Sequence, residues 1–431
     1  MFCLNQGVNA LLTGKAGTGK SHLIKQFLSE QSQKKKNCAV TAATGIAARA
    51  ILGQTINSWA GLGLGRKIMP MGQLEPRIAF YARIRNNDYF RNMITPKLQR
   101  CDVLVIDEIS MITGSFLDDI EFVLRNVRGA LDIPWGGIQT ILVGDFLQLP
   151  PVEKGARKVD WAFKGESYHS ERHSFYELCL EKSYRQDAGD WVNCLDEART
   201  GEISDYSNEL LLSREQAAYP SEQFEGALLL PLNEQVDEVN TRELTFLPGE
   251  IKEFEGAIVG QGTEARIKQL LDGLITPRIL TLKIGAKVIA TANNSDYGYC
   301  NGSIGFIREF KSDRIMVEFE DVGLVPVEKH TWDDSHRNAS KPLEFRQYPL
   351  KLAWAITIHK CQGMTLSKIF VDAKRMFAPG QFYVALSRCK TLEGVSLINY
   401  DKSKVFCDPD AKQFYSALIE RQATEKHLAA D

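Results

Sequence analysis

Residues 10–28 read ALLTGKAGTGKSHLIKQFL. A short strand-like run, Ala10–Leu12, passes through Thr13 into Gly14-Lys15-Ala16-Gly17-Thr18-Gly19-Lys20-Ser21, and an apolar helical face (Leu23, Ile24, Phe27, Leu28) follows. This is G-x-x-x-x-G-K-[ST] in the strand–loop–helix setting that gives the motif its meaning. The glycines let backbone N–H groups turn inward around a β-phosphate, and the helix N-terminus adds its positive end. Lys20 is then expected to reach the β- and γ-phosphates, and the Ser21 hydroxyl to hold Mg²⁺. A Gly-rich turn with an incidental lysine is the bland alternative, and the flanking strand and helix weigh against it.

A phosphate loop of this kind needs an acid nearby. Val103-Leu104-Val105-Ile106 ends in Asp107-Glu108, and an acid leaving the C-terminal end of a buried parallel strand stands where ligands bind in open α/β sheets. Asp107 is the expected Mg²⁺ partner, and Glu108 the group that orients or deprotonates an attacking water. Further on, QTILVGDFLQLPPV (139–152) carries Gln148 just past another aliphatic run. Its amide suits a γ-phosphate sensor, and Pro150-Pro151 stiffen the segment that carries it.

The whole chain is ordinary in bulk. Its 431 residues, 44% hydrophobic and 25% charged with a net charge of −2, suit a globular protein of two to four domains. No apolar run is long enough to span a membrane, and no signal peptide is evident. Nine cysteines without a CxxC pair read as free thiols in a reducing compartment. One local track is basic. Arg66, Lys67, Arg77, Arg83, Arg85, Arg91, Lys97 and Arg100 face only Glu75 and Asp88, with Phe80, Tyr81, Tyr89 and Phe90 interleaved. It reads either as a single-strand contact surface or as a helical insert whose aromatics are core.

Strands are expected at Ala10–Leu12, Cys38–Ala42, Val103–Ile106, Ile141–Val143, Ala227–Leu230, Ile369–Val371 and Val395–Ile398. Phe116, Leu117, Ile120, Val123, Leu124 and Val127 share one helical face. Alternation of this sort predicts parallel sheets covered on both sides. Residues 284 to 332 differ, reading as short antiparallel strands of a small barrel or meander. The stretch LKLAWAITIHKCQGMTL (350–366) is expected to be helical, with Trp354 in the core, and a helix from Gln381 carries Ser387 and Arg388. A terminal helix is expected from Pro409.

Taken in order, GKAGTGKS, TAATGIAA, TINSWAGLGLG, VLVIDEISM, GGIQTILVGDFLQLPPV, SYRQ, AWAITIHKCQGMT and YVALSRCKT resemble the petite integration frequency (PIF) helicase family of superfamily 1B, beside the RecD-like enzymes. The stretch 115–138 is similar to a segment that marks the family. The resemblance implies a P-loop NTPase with two RecA-like parallel-sheet domains and small inserted accessory domains. The first domain would be 1–60 and 101–182, with 61–100 an inserted wedge region. The second would be 183–295 and 346–431, with 296–345 a Src-homology-3-like β-barrel. ATP would lie in the cleft between the domains, bound by the phosphate loop and Gly363, with Arg185 and Arg388 supplied by the second domain. Thr44, Gly45, Thr55 and Ser58 in the first domain, and Thr357 and His359 in the second, would contact DNA.

The implied activity is ATP-dependent 5′-to-3′ unwinding in replication, repair, recombination or telomere maintenance. A monomer acting on single-stranded, forked or tailed duplex DNA is expected, in a bacterial nucleoid or in a eukaryotic nucleus or mitochondrion. Two features depart from the family. Only 13 residues precede Gly14, and Gln6 is too close to serve as the upstream glutamine that recognises adenine, so a shortened or misassigned start is expected. Asn57 stands where histidine is common. A single-strand translocase with little unwinding, and a nucleotide-gated binding protein with vestigial hydrolysis, are the alternatives. A nucleotide kinase or small GTPase leaves the second α/β half unexplained.

Overall fold

Runs of aliphatic residues without polar alternation need cover on both faces, and the first unit provides it. The computed structural model of the chain describes residues 1–431 apart from 45–46, 49–50, 52, 63–74, 152–157, 170–174, 187–188, 218–225, 273, 300, 321, 334–342 and 429–431. It divides into two units, Met1–Arg185 with Cys407–Asp431, and Gln186–Phe406.

The first unit carries six parallel strands: β1 (Ala10–Gly14), β2 (Cys38–Ala42), β3 (Gln54–Thr55), β4 (Val103–Asp107), β5 (Gln139–Gly144) and β6 (Tyr176–Leu180). They lie in the order β3-β2-β4-β5-β1-β6. One apolar layer joins Leu12, Ile24, Phe27, Val105 and Ile141. Another joins Leu11, Leu104, Ile106, Ile120, Leu124 and Leu142. The helix Gly114–Arg128 presents the expected apolar face to this second layer. Thr113 caps it by accepting from the Phe116 N–H, and Gly129 ends it at φ 65°.

The basic track is part of the same unit. Phe80, Ile84, Phe90, Ile94 and Leu98 belong to the apolar cluster of Leu104 and Leu124, so Phe80 and Phe90 are core groups and offer no stacking face. Arg66 and Lys67 lie outside the described residues.

In chain order the second unit contains β7 (Ala227–Leu230), β8 (Lys252–Glu255), β9 (Ala257–Val259), β10 (Ile279–Leu282), β11 (Lys287–Ala290), β12 (Ile304–Phe310), β13 (Arg314–Phe319), β14 (Gly323–Glu328), β15 (His330–Asp333), β16 (Glu344–Gln347), β17 (Leu350–Leu352), β18 (Ala355–Thr357), β19 (Ile369–Asp372) and β20 (Val395–Ile398). A parallel sheet of order β18-β7-β19-β20 forms its α/β part. An antiparallel sheet of order β14-β13-β12-β11-β17 forms its β-rich part, with the smaller sheets β10-β8 and β15-β16-β9.

Two expectations fail here. Residues 350–366 are not helical: β17 pairs antiparallel with β11, and three residues later β18 pairs parallel with β7. Half-buried Trp354 sits at that crossing and packs on the antiparallel core. The terminal helix Pro409–Leu428, expected in the second domain, instead packs in the first unit, where Phe414, Tyr415 and Leu418 join the main apolar cluster. No helix among the described residues is long and apolar enough to cross a membrane.

Candidate nucleotide and strand-binding site

Parallel register sets the carboxyl ends of four strands level. Thr13 of β1 is opposite Gly144 of β5, Gly14 is opposite Leu180 of β6, and Ile106 of β4 is opposite Leu142 of β5. The sheet order β4-β5-β1-β6 therefore sets four loops side by side on one edge: Asp107-Glu108, Asp145–Gln148, the phosphate loop and Ser183–Arg185. That edge is where open α/β sheets bind ligands.

The phosphate loop is closely fitted. Gly14 has φ 140°, and a Cβ there would meet the Leu180 carbonyl oxygen at 2.3 Å. A Cβ on Gly17 (φ 80°) would meet the Arg185 Cβ at 2.5 Å, so neither site admits a larger residue. Thr18 Oγ1 donates to the Lys15 carbonyl at 2.9 Å. Lys20 Nζ donates to the carbonyls of Gly14 and Lys15, holding the ammonium across the loop where phosphate oxygens would replace those carbonyls. Ala16 is buried, and Gly19 at φ 87° starts the helix Lys20–Gln33, on whose first turn Ser21 is exposed.

Arg185 sits beside this loop. The Tyr184 N–H donates to the Gly17 carbonyl at 2.8 Å, and Ser183 Oγ lies 3.5 Å from the Ala16 carbonyl. Expected from the second domain, Arg185 closes the first unit, because β6 delivers it to the same sheet edge. That strand was legible only as two leucines, Leu178 and Leu180.

At the end of β4, Glu108 adopts φ 53°, a left-handed conformation rare outside glycine. The turn aims its N–H at Asp107 Oδ1, 2.8 Å away. Gly144 at φ 156° makes room for it, since a Cβ there would lie 3.0 Å from the Ile109 nitrogen. Burial pushes the Asp107 carboxyl above the usual range, and the Glu108 N–H and Lys20 pull it partly back. A buried carboxylate with a serine hydroxyl on the same edge is an all-oxygen donor pair that fits Mg²⁺.

Gln148 is 6% exposed, and its Nε2 donates to Asp145 Oδ2 at 3.4 Å. Asp145 is wholly buried and also accepts the Leu147 N–H at 3.1 Å. The amide thus meets an aspartate that is itself fixed in the sensor loop.

The second unit treats its site residues differently. The short helix Gln381–Leu386 begins where expected, and Ser387 and Arg388 follow it. Arg388 is 2% exposed. Its guanidinium donates to the Val384 carbonyl at 2.9 Å and to Ser387 Oγ at 2.8 Å, with the Met364 carbonyl at 3.5 Å. Gln186, also from the SYRQ motif, braces this turn by donating to the carbonyls of Ser387 and Cys389. Gly363 is at φ 82° with open space around its missing Cβ.

Among the expected strand-contact residues, the threonines already serve their own backbone. Thr44, Thr55 and Thr357 accept N–H groups from Ala47, Ser58 and Lys360 at 3.2, 3.4 and 3.3 Å. Each hydroxyl keeps its proton to donate. Thr357 is buried, and burial holds the His359 imidazole below its ordinary pKa, which favours the neutral ring. Gly45 lies outside the described residues. Nearby, burial and Lys360 bring the Lys351 ammonium down to about 8.

Much of the basic track is internally matched. Arg77 pairs with Asp118, Asp119 and Glu166 at 2.8, 3.0 and 3.3 Å. Arg83 grips Glu75 at 3.0 Å, and Arg91 pairs with Asp88. Arg85 and Arg100 are exposed. Tyr184 was missed: its ring is 73% exposed and approaches Gly19, with the Lys182 ammonium 5.3 Å from its centre. An exposed aromatic beside a phosphate loop is a signal the sequence did carry.

A family model described as PIF1-like helicase matches residues 2–218. The chain is 34% identical to the ATP-dependent DNA helicase PIF1 of Danio rerio, over 96% of its own length and 62% of that protein's, so it spans less than two thirds of that relative. It is 33% identical to the ATP-dependent DNA helicase Pif1 of Bdellovibrio bacteriovorus, covering 96% of this chain and 89% of the other. A crystal structure of Pif1 helicase from Bacteroides with ADP-AlF3 and single-stranded DNA matches with a TM-score of 0.64 at 30% identity, over 99% and 96% of the two chains.

Proposed function

We infer that this chain, which belongs to the PIF1-like helicase family, hydrolyses ATP to move along single-stranded DNA and separate duplex ahead of it. The observation that carries the reading is the alignment of four phosphate-handling loops on one edge of a single sheet. Lys20 and the loop N–H groups bind the β- and γ-phosphates. Glu108 orients or deprotonates water, Gln148 senses the γ-phosphate, and Arg185 offsets the charge that builds on the equatorial oxygens. Ser21 and Asp107 would hold Mg²⁺, which would offset phosphate charge there. The exposed Tyr184 ring offers a stacking face for adenine.

Arg388 joins the reaction once its bonds to Val384 and Ser387 exchange for phosphate. Thr44, Gly45, Thr55, Ser58, Thr357 and His359 hold the strand through uncharged donors. The antiparallel sheet of the second unit serves as the Src-homology-3-like barrel, and movement runs 5′ to 3′. Forked and tailed duplexes are the substrates, in genome maintenance in a bacterial nucleoid or in a eukaryotic nucleus or mitochondrion. The test measures ATP turnover with and without oligo-dT, beside unwinding of 5′-tailed and 3′-tailed duplexes. Strong stimulation with a 5′-tail preference is expected. Stimulation without unwinding selects the translocase reading, and turnover indifferent to DNA overturns both.

A further inference from the structure

We propose that Tyr415, on the terminal helix Pro409–Leu428, is a positioning residue for the γ-phosphate sensor. The inference rests on Gln148 having the sensing role given above. Tyr415 Oη lies 3.0 Å from Asp145 Oδ1, 3.3 Å from the Phe146 nitrogen, and within hydrogen-bond distance of Thr13 Oγ1. The protons can be assigned by counting. Tyr415 Oη donates its single proton to Asp145 Oδ1. The Phe146 N–H can only donate, so it donates to Tyr415, and Thr13 then supplies its own hydroxyl proton to the phenol oxygen.

The result is a buried relay from the last residue before the phosphate loop, through Tyr415, to the aspartate that supports the Gln148 amide. Thr13 and Asp145 are fully buried, Tyr415 is 5% exposed and Gln148 is 6% exposed, so water cannot substitute for any member. The helix that brings the phenol is itself pinned. Asp408, at its start, accepts Trp161 Nε1 at 2.9 Å, and Arg421 pairs with Glu177 at 2.6 Å. Phe414 stacks on Phe163 and meets Phe146 of the sensor loop edge-on at 5.3 Å.

Through this relay the sensor loop takes its position from the strand that carries the phosphate loop. Gln148 Nε2 reaches the same aspartate at 3.4 Å.

Tyr415→Phe keeps the ring and its packing and removes only the relay. It should lower DNA-stimulated kcat about tenfold while KM for ATP and ADP affinity stay within about twofold. Gln148→Ala should lower kcat at least as much, and the double variant should be no slower than Gln148→Ala alone, because the two act as one unit. Thr13→Val removes the donor to the phenol and should repeat the kcat loss in smaller degree, which covers the case of a Tyr415 variant that does not fold. Normal kcat in Tyr415→Phe beside a collapsed Gln148→Ala would overturn the positioning role and leave the sensor standing. Normal kcat in Gln148→Ala would remove the sensor reading itself. Multiplicative losses in the double variant, with KM rising in step, would reduce the phenol to a structural group.

Discussion

In the first unit, the groups assigned to phosphate chemistry stand along one sheet edge with their polar ends in or near the loops. In the second, Arg388 is folded into its own turn, with its guanidinium committed to Val384 and Ser387. Arg185 is half-buried beside Gly17, and its Cβ lies close to that glycine. The contrast separates groups already set along one edge from an arginine held by its own turn. Releasing a buried, hydrogen-bonded guanidinium needs a new anionic partner of comparable strength, and a γ-phosphate is one.

The comparison can be broken at several places. Lys20→Ala should cut turnover by about 10²–10³ or more, because the ammonium that spans the loop is lost. If turnover survives it, the first half of the contrast is wrong. Arg185→Ala and Arg388→Ala should both slow turnover, by roughly 10³ if each acts as a finger. Their stabilities should part company. Arg388→Ala should cost about 3 kcal/mol, since it strips buried backbone acceptors. Arg185→Ala keeps the Cβ that packs on Gly17 and removes a half-buried rather than a fully buried guanidinium, so it should cost less, about 1 kcal/mol. Equal losses in thermal unfolding would erase the distinction.

Within the basic track, Arg83→Ala leaves Glu75, only 8% exposed, without its grip. It should cost about 1–2 kcal/mol and leave the salt dependence of DNA affinity unchanged. Exposed Arg85→Ala should do the reverse, lowering the salt slope by about 1 if it touches phosphate. The last effect, confined to high pH, is expected at Lys351. Its folded-state pKa of about 8 lies below the ordinary 10.5, so between these values the unfolded chain holds a proton the folded chain lacks. Stability should rise with pH through that window, with the full penalty present below it. Lys351→Met should flatten the rise in denaturant titrations at pH 8 and 10.

What the amino-acid order revealed follows from distance along the chain. The phosphate loop, the Asp107 turn and the aliphatic strands are local patterns, and each strand named from an apolar run is present, with ends shifted by up to two residues. Residues 350–366 misled because two short strands from different sheets, separated only by Ala353 and Trp354, together imitate a helical period. The arginines of the basic track looked unmatched because Asp118 and Asp119 lie 41 and 42 residues from Arg77. The terminal helix was assigned to the nearer unit by sequence adjacency, and its Tyr415 carries no motif that points to Asp145.

That helix also sets an order of assembly. Some 270 residues of chain separate Tyr415 from Asp145, so the sensor segment is made long before the helix that supports it. While the ribosome is making Gln186–Phe406, the nascent phosphate loop and sensor segment exist without their keystone. A newborn chain should therefore reach full nucleotide turnover only after the helix Pro409–Leu428 has emerged, a delay against idle hydrolysis during synthesis.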